Sequence, residues 1–127
     1  MLHNEITGAI VDTAIQIHRK LGPGLLESVY RKVLAYELRK RGFRVVEEKP
    51  IPVVWEDVRL ELGFRADLIV NNMVTIETKS VETVAPVHKK QLLTYLRLLD
   101  MRVGLLINFN VELLKDGISR VVNRLEE

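Results

Sequence analysis

Hydrophobic residues recur at helical spacing at the start of the chain. Ile6, Ile10 and Ile17 lie on one face of a predicted first helix. Asn4 precedes this pattern and is the predicted N-cap, and Gly22-Pro23 is predicted to end the helix. The chain is therefore expected to open with an amphipathic helix that packs one face on a core.

The same spacing indicates two further helices. One is predicted over Gly24–Arg41, where Gly42 supplies a C-terminal stop. The other is predicted over residues 86–100, with Pro86 in its first turn, where a missing backbone N–H costs nothing. Both have leucines on the face that points toward a core.

The middle of the chain changes to alternating polarity with many β-branched residues, which predicts strands. The stretches are FRVVEE (43–48), IPVVW (51–55), VRLELGFRADLIV (58–70) and MVTIETKSV (73–81), with turns at WED (55–57) and NNM (71–73). RVGLLINFN (102–110) is almost continuously apolar, as expected for a strand covered on both faces. A turn at Lys115–Gly117 and a final strand are predicted for the tail. This order predicts a single α/β domain over residues 1–127, with a mixed central sheet flanked by helices.

The hairpin around NNM has two possible registers. A two-residue turn places Asp67 opposite Ile76. A three-residue turn pairs Leu68 with Ile76. It also pairs Val70 with Val74, and one face of the hairpin becomes wholly apolar. Because a one-residue slip moves every side chain to the other face, burial favours the cleaner pattern, and we predict the three-residue turn.

In that register Asp67 lies opposite Glu77, with Lys79 one pleat further along the same face. Two carboxylates so close repel each other unless a divalent cation lies between them, and carboxylate oxygens are ligands that Mg²⁺ prefers. The lysine could neutralise charge on a phosphate or assist a metal-activated water. The alternative is a solvated hairpin face, where mixed charges discourage aggregation.

Composition narrows the class of protein. Of the 127 residues, 47% are hydrophobic and 28% charged, which is typical of a soluble globular chain. Cysteine is absent, which excludes disulfides and thiol nucleophiles and suits a cytoplasmic protein. No apolar run approaches the roughly 20 residues that span a bilayer, and Asn4, Glu5 and Asp12 interrupt any signal-peptide core. We therefore expect no membrane partner.

The net charge of +2 permits a nucleic-acid partner without requiring one. A set of basic residues either follows a phosphate backbone or merely solvates helix surfaces. Its members are Arg31, Lys32, Arg39, Lys40, Arg41, Arg44, Lys89, Lys90 and Arg97. Aromatic residues that would stack on bases are not interleaved with them, so sequence-specific readout is not predicted.

Several residues together resemble a known family. Asp67, a hairpin and Glu77-Thr78-Lys79 resemble the D…(D/E)xK signature of the PD-(D/E)xK nuclease superfamily. Ala66 stands where the superfamily has proline, and threonine replaces the usual apolar residue between the acid and the lysine. Neither departure removes a predicted ligand.

Further motifs resemble the GxxExxY proteins, a branch of that superfamily. GLLESVY (24–30) resembles the motif that names them, and QLLTY (91–95) resembles the QxxxY of the helix after the catalytic hairpin. GLLINFN (104–110) and LLKDGISRVVN (113–123) are similar to the C-terminal half of these proteins. The resemblance extends from His18 to Asn123, with the motifs in the family's order.

The resemblance implies a restriction-endonuclease-like fold with an α-β-β-β-α-β centre. It implies a Mg²⁺- or Mn²⁺-dependent nuclease that hydrolyses phosphodiester bonds in nucleic acid, with DNA as the expected partner. The implied metal ligands are Asp67, Glu77 and the backbone carbonyl of Thr78. The implied catalytic residues are Lys79, Glu27, Gln91 and Tyr95. Glu27 completes the acidic pocket or contacts a metal-bound water, and Gln91 and Tyr95 touch the substrate backbone.

Other interpretations stay open at this stage. Glu27 would also be stabilised by the helix dipole, and Tyr30 and Tyr95 would also serve as core aromatics. The rival function is a non-catalytic module that binds nucleic acid or a protein, and a weaker one is a structural domain that needs a partner chain. Metal binding that depends on Asp67 discriminates between an enzyme and these rivals. The oligomeric state, a homodimer included, is not predicted.

Overall fold

Three helices cover the two faces of a mixed five-stranded sheet in the computed structural model, which describes residues 1–126. The helices are α1 (His3–Leu21), α2 (Glu27–Lys40) and α3 (Pro86–Leu99). The strands are β1 (Val45–Pro50), β2 (Val53–Trp55), β3 (Val58–Leu60), β4 (Arg65–Val70), β5 (Val74–Lys79), β6 (Val103–Asn108) and β7 (Ile118–Val122). A short 3₁₀ helix, Leu114–Gly117, precedes β7, so the predicted turn and final strand are confirmed.

The strand order in the main sheet is β1-β4-β5-β6-β7. Only β5 and β6 run parallel; the other neighbours are antiparallel. This mixed sheet confirms the predicted α/β fold. The prediction of one strand over residues 58–70 was wrong, since β3 pairs only with β2 in a separate hairpin. Gly63 lies between β3 and β4 with a φ of 82°, in the left-handed region that glycine adopts without steric cost.

Helix α1 begins before its predicted N-cap. It starts at His3 rather than after Asn4. Glu5 Oε1 accepts a hydrogen bond from the Leu2 N–H at 3.1 Å and so satisfies the first backbone donor. Asn4 Oδ1 instead accepts from Arg120 Nη2 at 2.8 Å, which ties the start of α1 to β7.

Helix α2 begins at Glu27 rather than at the predicted Gly24. Gly24 has a φ of 101°, which is incompatible with a right-handed helix. The buried hydroxyl of Tyr30 donates to Gly22 O at 2.6 Å and accepts from the Leu25 N–H at 3.1 Å. These bonds fix the turn between α1 and α2, and they place Tyr30 in the core rather than in a site.

Each face of the sheet has its own apolar core. Helices α1 and α2 pack on one face, where Ile10 and Leu34 meet Ile76 of β5. Helix α3 packs on the other, where Leu92 meets Leu106 of β6. Every residue of β6 is buried, which confirms the strand covered on both faces. Within residues 1–126, no helix combines the length and the apolar content that crossing a bilayer requires.

Candidate active site

The hairpin of β4 and β5 has the predicted register. Leu68 pairs with Ile76, and Val70 with Val74, across a three-residue turn. Asn71 takes a left-handed conformation in this turn, with a φ of 51°, which asparagine tolerates better than most residues. The apolar side chains of the pairs therefore face the core together.

The ladder between β4 and β5 ends at the pair of Leu68 and Ile76. Asp67, which precedes Leu68, fills the opening between the two strands. Asp67 Oδ2 accepts hydrogen bonds from the Thr78 N–H at 2.8 Å and the Thr78 hydroxyl at 3.0 Å. The Asp67 N–H donates to Glu77 Oε2 at 3.0 Å. The two acids are thus brought together as predicted, although Asp67 lies in the gap rather than in a regular cross-strand pair.

Burial and mutual repulsion dominate the electrostatics of this pair. Glu77 is 7% exposed. Burial first, and then the charge of Asp67, raises the pKa of Glu77 to about 8, against the opposing effect of Lys79. Without a cation, Glu77 therefore holds a proton at neutral pH.

Helix α3 places a tyrosine within electrostatic range of the acids. Burial, and then the charges of Glu77 and Asp67, raise the pKa of Tyr95 above its ordinary value. Its hydroxyl is therefore protonated at neutral pH and can donate a hydrogen bond. Gln91 lies one helical turn earlier, with an exposed side chain. The structure brings Tyr95 to the acids and leaves Gln91 facing solvent.

Helix α2 reaches the end of β5 through its first residue. Glu27 Oε1 accepts from the Ser80 N–H at 3.4 Å, and the Ser80 hydroxyl donates to Leu25 O at 2.6 Å. Glu27 thus lies beside the residue that follows Lys79. Ser80 is a residue of the site that the motifs did not indicate.

The donor set fits a small hard cation with few protein ligands. In the described part of the chain, no three His, Asp or Glu side chains converge on one point. Asp67 and Glu77 offer carboxylate oxygens, the ligand type of Mg²⁺, which commonly keeps several waters. A cation would offset both the burial and the repulsion from Asp67 that together raise the pKa of Glu77. Thr78 contacts Asp67 through its N–H and hydroxyl, and ligation by its carbonyl stays a prediction.

Sequence reasoning also missed the buried amide beside the lysine. Lys79 pairs with Asn108 in the parallel ladder, and the Phe109 N–H donates to Lys79 O at 2.9 Å. Asn108 is 2% exposed. Its Nδ2 donates to Val81 O at 2.9 Å, and its Oδ1 accepts from the Val81 and Asn110 N–H groups at 3.1 and 3.2 Å. A lone amide within an apolar strand was the available signal.

Comparison with known proteins supplies the family. The sequence matches the PD-(D/E)XK nuclease superfamily over residues 4–121. Curated proteins and solved structures gave no significant match. The matched region contains both acids, the lysine and the helices on either side of the sheet. The chain therefore belongs to the PD-(D/E)XK nuclease superfamily.

Proposed function

We propose that this protein is a divalent-metal-dependent nuclease that hydrolyses phosphodiester bonds in DNA. Membership of the superfamily supports nuclease chemistry in general. The observation that carries the proposal is the hydrogen bond from the Asp67 N–H to Glu77 Oε2 at 3.0 Å, which brings the two acids together directly before Thr78 and Lys79. We also propose membership of the GxxExxY branch, from the motif at Gly24–Tyr30.

Asp67 and Glu77 hold Mg²⁺ or Mn²⁺ in this proposal, with the Thr78 carbonyl as a further ligand. A bound divalent cation supplies Lewis-acid chemistry, which stabilises charge on phosphoryl oxygens and acidifies water. The burial of Glu77 supports this assignment, because a charge partner is worth more where water is excluded. The Thr78 hydroxyl fixes one oxygen of Asp67 in place.

The remaining residues act on the substrate or hold the segment that follows Lys79. The half-buried Lys79 ammonium stabilises charge that develops on the phosphate. Tyr95 donates a hydrogen bond to a phosphate oxygen, which the raised pKa of its hydroxyl permits. Gln91, exposed on the same helix, orients the backbone of the substrate. Glu27 holds the Ser80 N–H and so steadies the segment after the lysine.

A cleavage assay tests the proposal. A DNA duplex, a DNA single strand and an RNA single strand of one sequence are incubated with Mg²⁺, Mn²⁺ or EDTA. Cleavage is expected only with metal, and Glu77→Gln or Lys79→Ala is expected to slow it by about 10²-fold or more. Asp100→Asn is the matched control, since Asp100 lies just before β6, at the opposite end of the β5–β6 pair from the lysine.

The outcomes separate the enzyme from its rival. Cleavage that is equal in wild type and Glu77→Gln would overturn the catalytic assignment. Nucleic-acid binding without metal-dependent cleavage would favour a non-catalytic module with the nuclease fold. Calorimetric titration of the wild type and Asp67→Asn with Mn²⁺ then shows whether Asp67 still contributes to a metal site.

A further inference from the structure

One arginine of helix α2 has a buried N–H group without an acceptor among the described residues. Arg31 Nε has no hydrogen-bond partner among residues 1–126. The guanidinium makes a long ion contact, from Nη1 to Glu48 Oε1 at 3.5 Å, and the side chain is only 16% exposed. A buried donor without an acceptor is uncommon in native proteins, and a ligand that brings the acceptor is one explanation for it.

The position of Arg31 relates it to the site. It lies one helical turn after Glu27, so both side chains project from the same face of α2. Glu27 contacts the backbone just beyond the end of β5, whereas Arg31 contacts Glu48 of β1. Strand β4 lies between β1 and β5, and the β1–β4 pairs Glu47–Leu68 and Lys49–Ala66 flank Glu48 and Asp67. The guanidinium therefore contacts the strand next to the one that carries the proposed metal ligand.

Two other arginines show what distinguishes this one. Arg39, also on α2, donates to Glu47 at 3.0 Å and to Val45 O at 2.8 Å, so its guanidinium is already well satisfied. Arg102 also has a buried Nη1 without a partner, but it is held at 3.0 Å from Asp100, at the opposite end of the β5–β6 pair. Arg31 alone of the three combines an unsatisfied N–H with a position one helical turn from Glu27 and a contact to the strand next to β4.

We propose that Arg31 binds a phosphate of the nucleic-acid backbone adjacent to the bond that is cleaved. Glu27, Asp67 and Glu77 make this end of the sheet acidic, and a polyanion needs cationic groups beyond Lys79 to approach it. A guanidinium binds phosphate through parallel N–H groups, which suits a donor that is already desolvated. The half-exposed Glu48 competes only weakly, because exposed ion pairs contribute little. The inference rests on the proposed function, whose substrate class it specifies.

Binding measured without metal tests Arg31 separately from catalysis. Fluorescence anisotropy of fluorescein-labelled DNA duplex, DNA single strand and RNA single strand is recorded in EDTA over a series of salt concentrations. Arg31→Met is expected to weaken binding about tenfold at low salt and to reduce the slope of log affinity against log salt by about 1. Arg39→Met is the control and is expected to leave the affinity unchanged, since Arg39 is engaged with Glu47.

A second variant separates binding from a structural ion pair. Glu48→Gln removes the ion contact that Arg31 makes at 3.5 Å and is expected to leave the affinity unchanged or raise it. If Arg31 served Glu48 alone, Arg31→Met and Glu48→Gln would lower the thermal midpoint alike, with no effect of Arg31→Met on affinity. That result, or a wild type that binds none of the three probes, overturns the inference.

Metal-dependent cleavage reports on the proposed function independently. A wild type that cleaves DNA, with Arg31→Met equal to it in affinity and salt slope, overturns only the role of Arg31. A wild type that never cleaves, but loses affinity on Arg31→Met, keeps the phosphate contact and overturns the nuclease assignment.

Discussion

At the scale of single residues, the burial of Glu77 beside Asp67 makes the stability of the metal-free protein depend on pH. The folded state raises the pKa of Glu77 from 4.5 to about 8, so it binds the proton more tightly than the unfolded chain does. The stabilisation is fully present below about pH 4.5 and is lost as the pH rises to about 8. Urea unfolding in EDTA is expected to show this loss in the wild type.

Glu77→Gln supplies the comparison, because the amide has nearly the same shape and does not titrate. The difference in unfolding free energy between wild type and this variant is expected to shift with pH between about 4.5 and 8, and to stay level above that range. Glu82→Gln changes an exposed acid of the following loop and is the control. A parallel pH profile for wild type and Glu77→Gln would contradict the raised pKa.

A second prediction at this scale concerns Asn108. Asn108→Ala removes three hydrogen bonds and leaves both backbone groups of Val81 without partners, which costs about 2–3 kcal/mol. Asn123→Ala removes a comparable buried bond, to Met101 O, at the other end of β6, and costs about 1 kcal/mol. Both variants are expected to lower stability in urea.

Only Asn108→Ala is expected to slow cleavage per folded molecule, because Asn108 holds the loop that follows Lys79. The measurement is the maximal rate and the KM under conditions where both variants are fully folded. Equal rates for Asn108→Ala and Asn123→Ala would show that the amide stabilises the fold and has no positioning role.

At the scale of elements, three glycines test how closely the structure packs. A Cβ at Gly117 would collide with the backbone carbonyl of Asn108, and one at Gly104 would meet Leu92 Cδ1 at 2.9 Å. Gly8 lies in α1 with nothing within 4 Å. Gly117→Ala is expected to cost the most stability, Gly104→Ala about 1–3 kcal/mol, and Gly8→Ala is expected to add about 0.5–1 kcal/mol.

Chemical denaturation of the three variants checks this order. The Gly117 position matters for the site, because the Asn108 carbonyl that the added Cβ would displace belongs to β6, which pairs with β5 beside Lys79. If Gly117→Ala were neutral, the 3₁₀ helix would not be packed against the end of β6.

The elements also show what could be predicted from the sequence. The hairpin register followed from alternation, because burial allows only one pairing of Leu68. The placement of Asp67 in the gap did not follow, since the alternation contains no sign that the ladder ends there. The partners of Asn108 depend on a parallel pairing of β6 with β5 across an intervening helix. Sequence spacing does not encode such a contact between distant segments.

At the scale of the whole molecule, the site combines segments that are far apart in the chain. Asp67 and Lys79 come from one hairpin, so their proximity is local and was predictable. Glu27 reaches them from α2, and Tyr95 from α3 on the opposite face of the sheet. The family resemblance implied both contributions, whereas periodicity alone left Glu27 and Tyr95 with ordinary structural explanations.

Because the proposed ligands hold adjacent strands, metal binding is expected to stabilise the whole fold. A ligand at about 100 times its dissociation constant adds about 2.7 kcal/mol, or roughly 10 °C in thermal midpoint for a chain of this size. The gain should grow with pH up to about 8, because below that value the cation must displace the proton held by Glu77.

Circular dichroism melts with Mg²⁺ or Mn²⁺ against EDTA, at several pH values, measure this gain. Asp67→Asn keeps an oxygen that can accept from the Thr78 N–H but loses the charge, so its melting temperature should not respond to metal. Asp100→Asn should respond as the wild type does, since asparagine tolerates the left-handed conformation found there, with a φ of 53°. A metal-induced shift that survives in Asp67→Asn would place the cation elsewhere, and the hairpin would then have to be understood as a structural rather than a catalytic element.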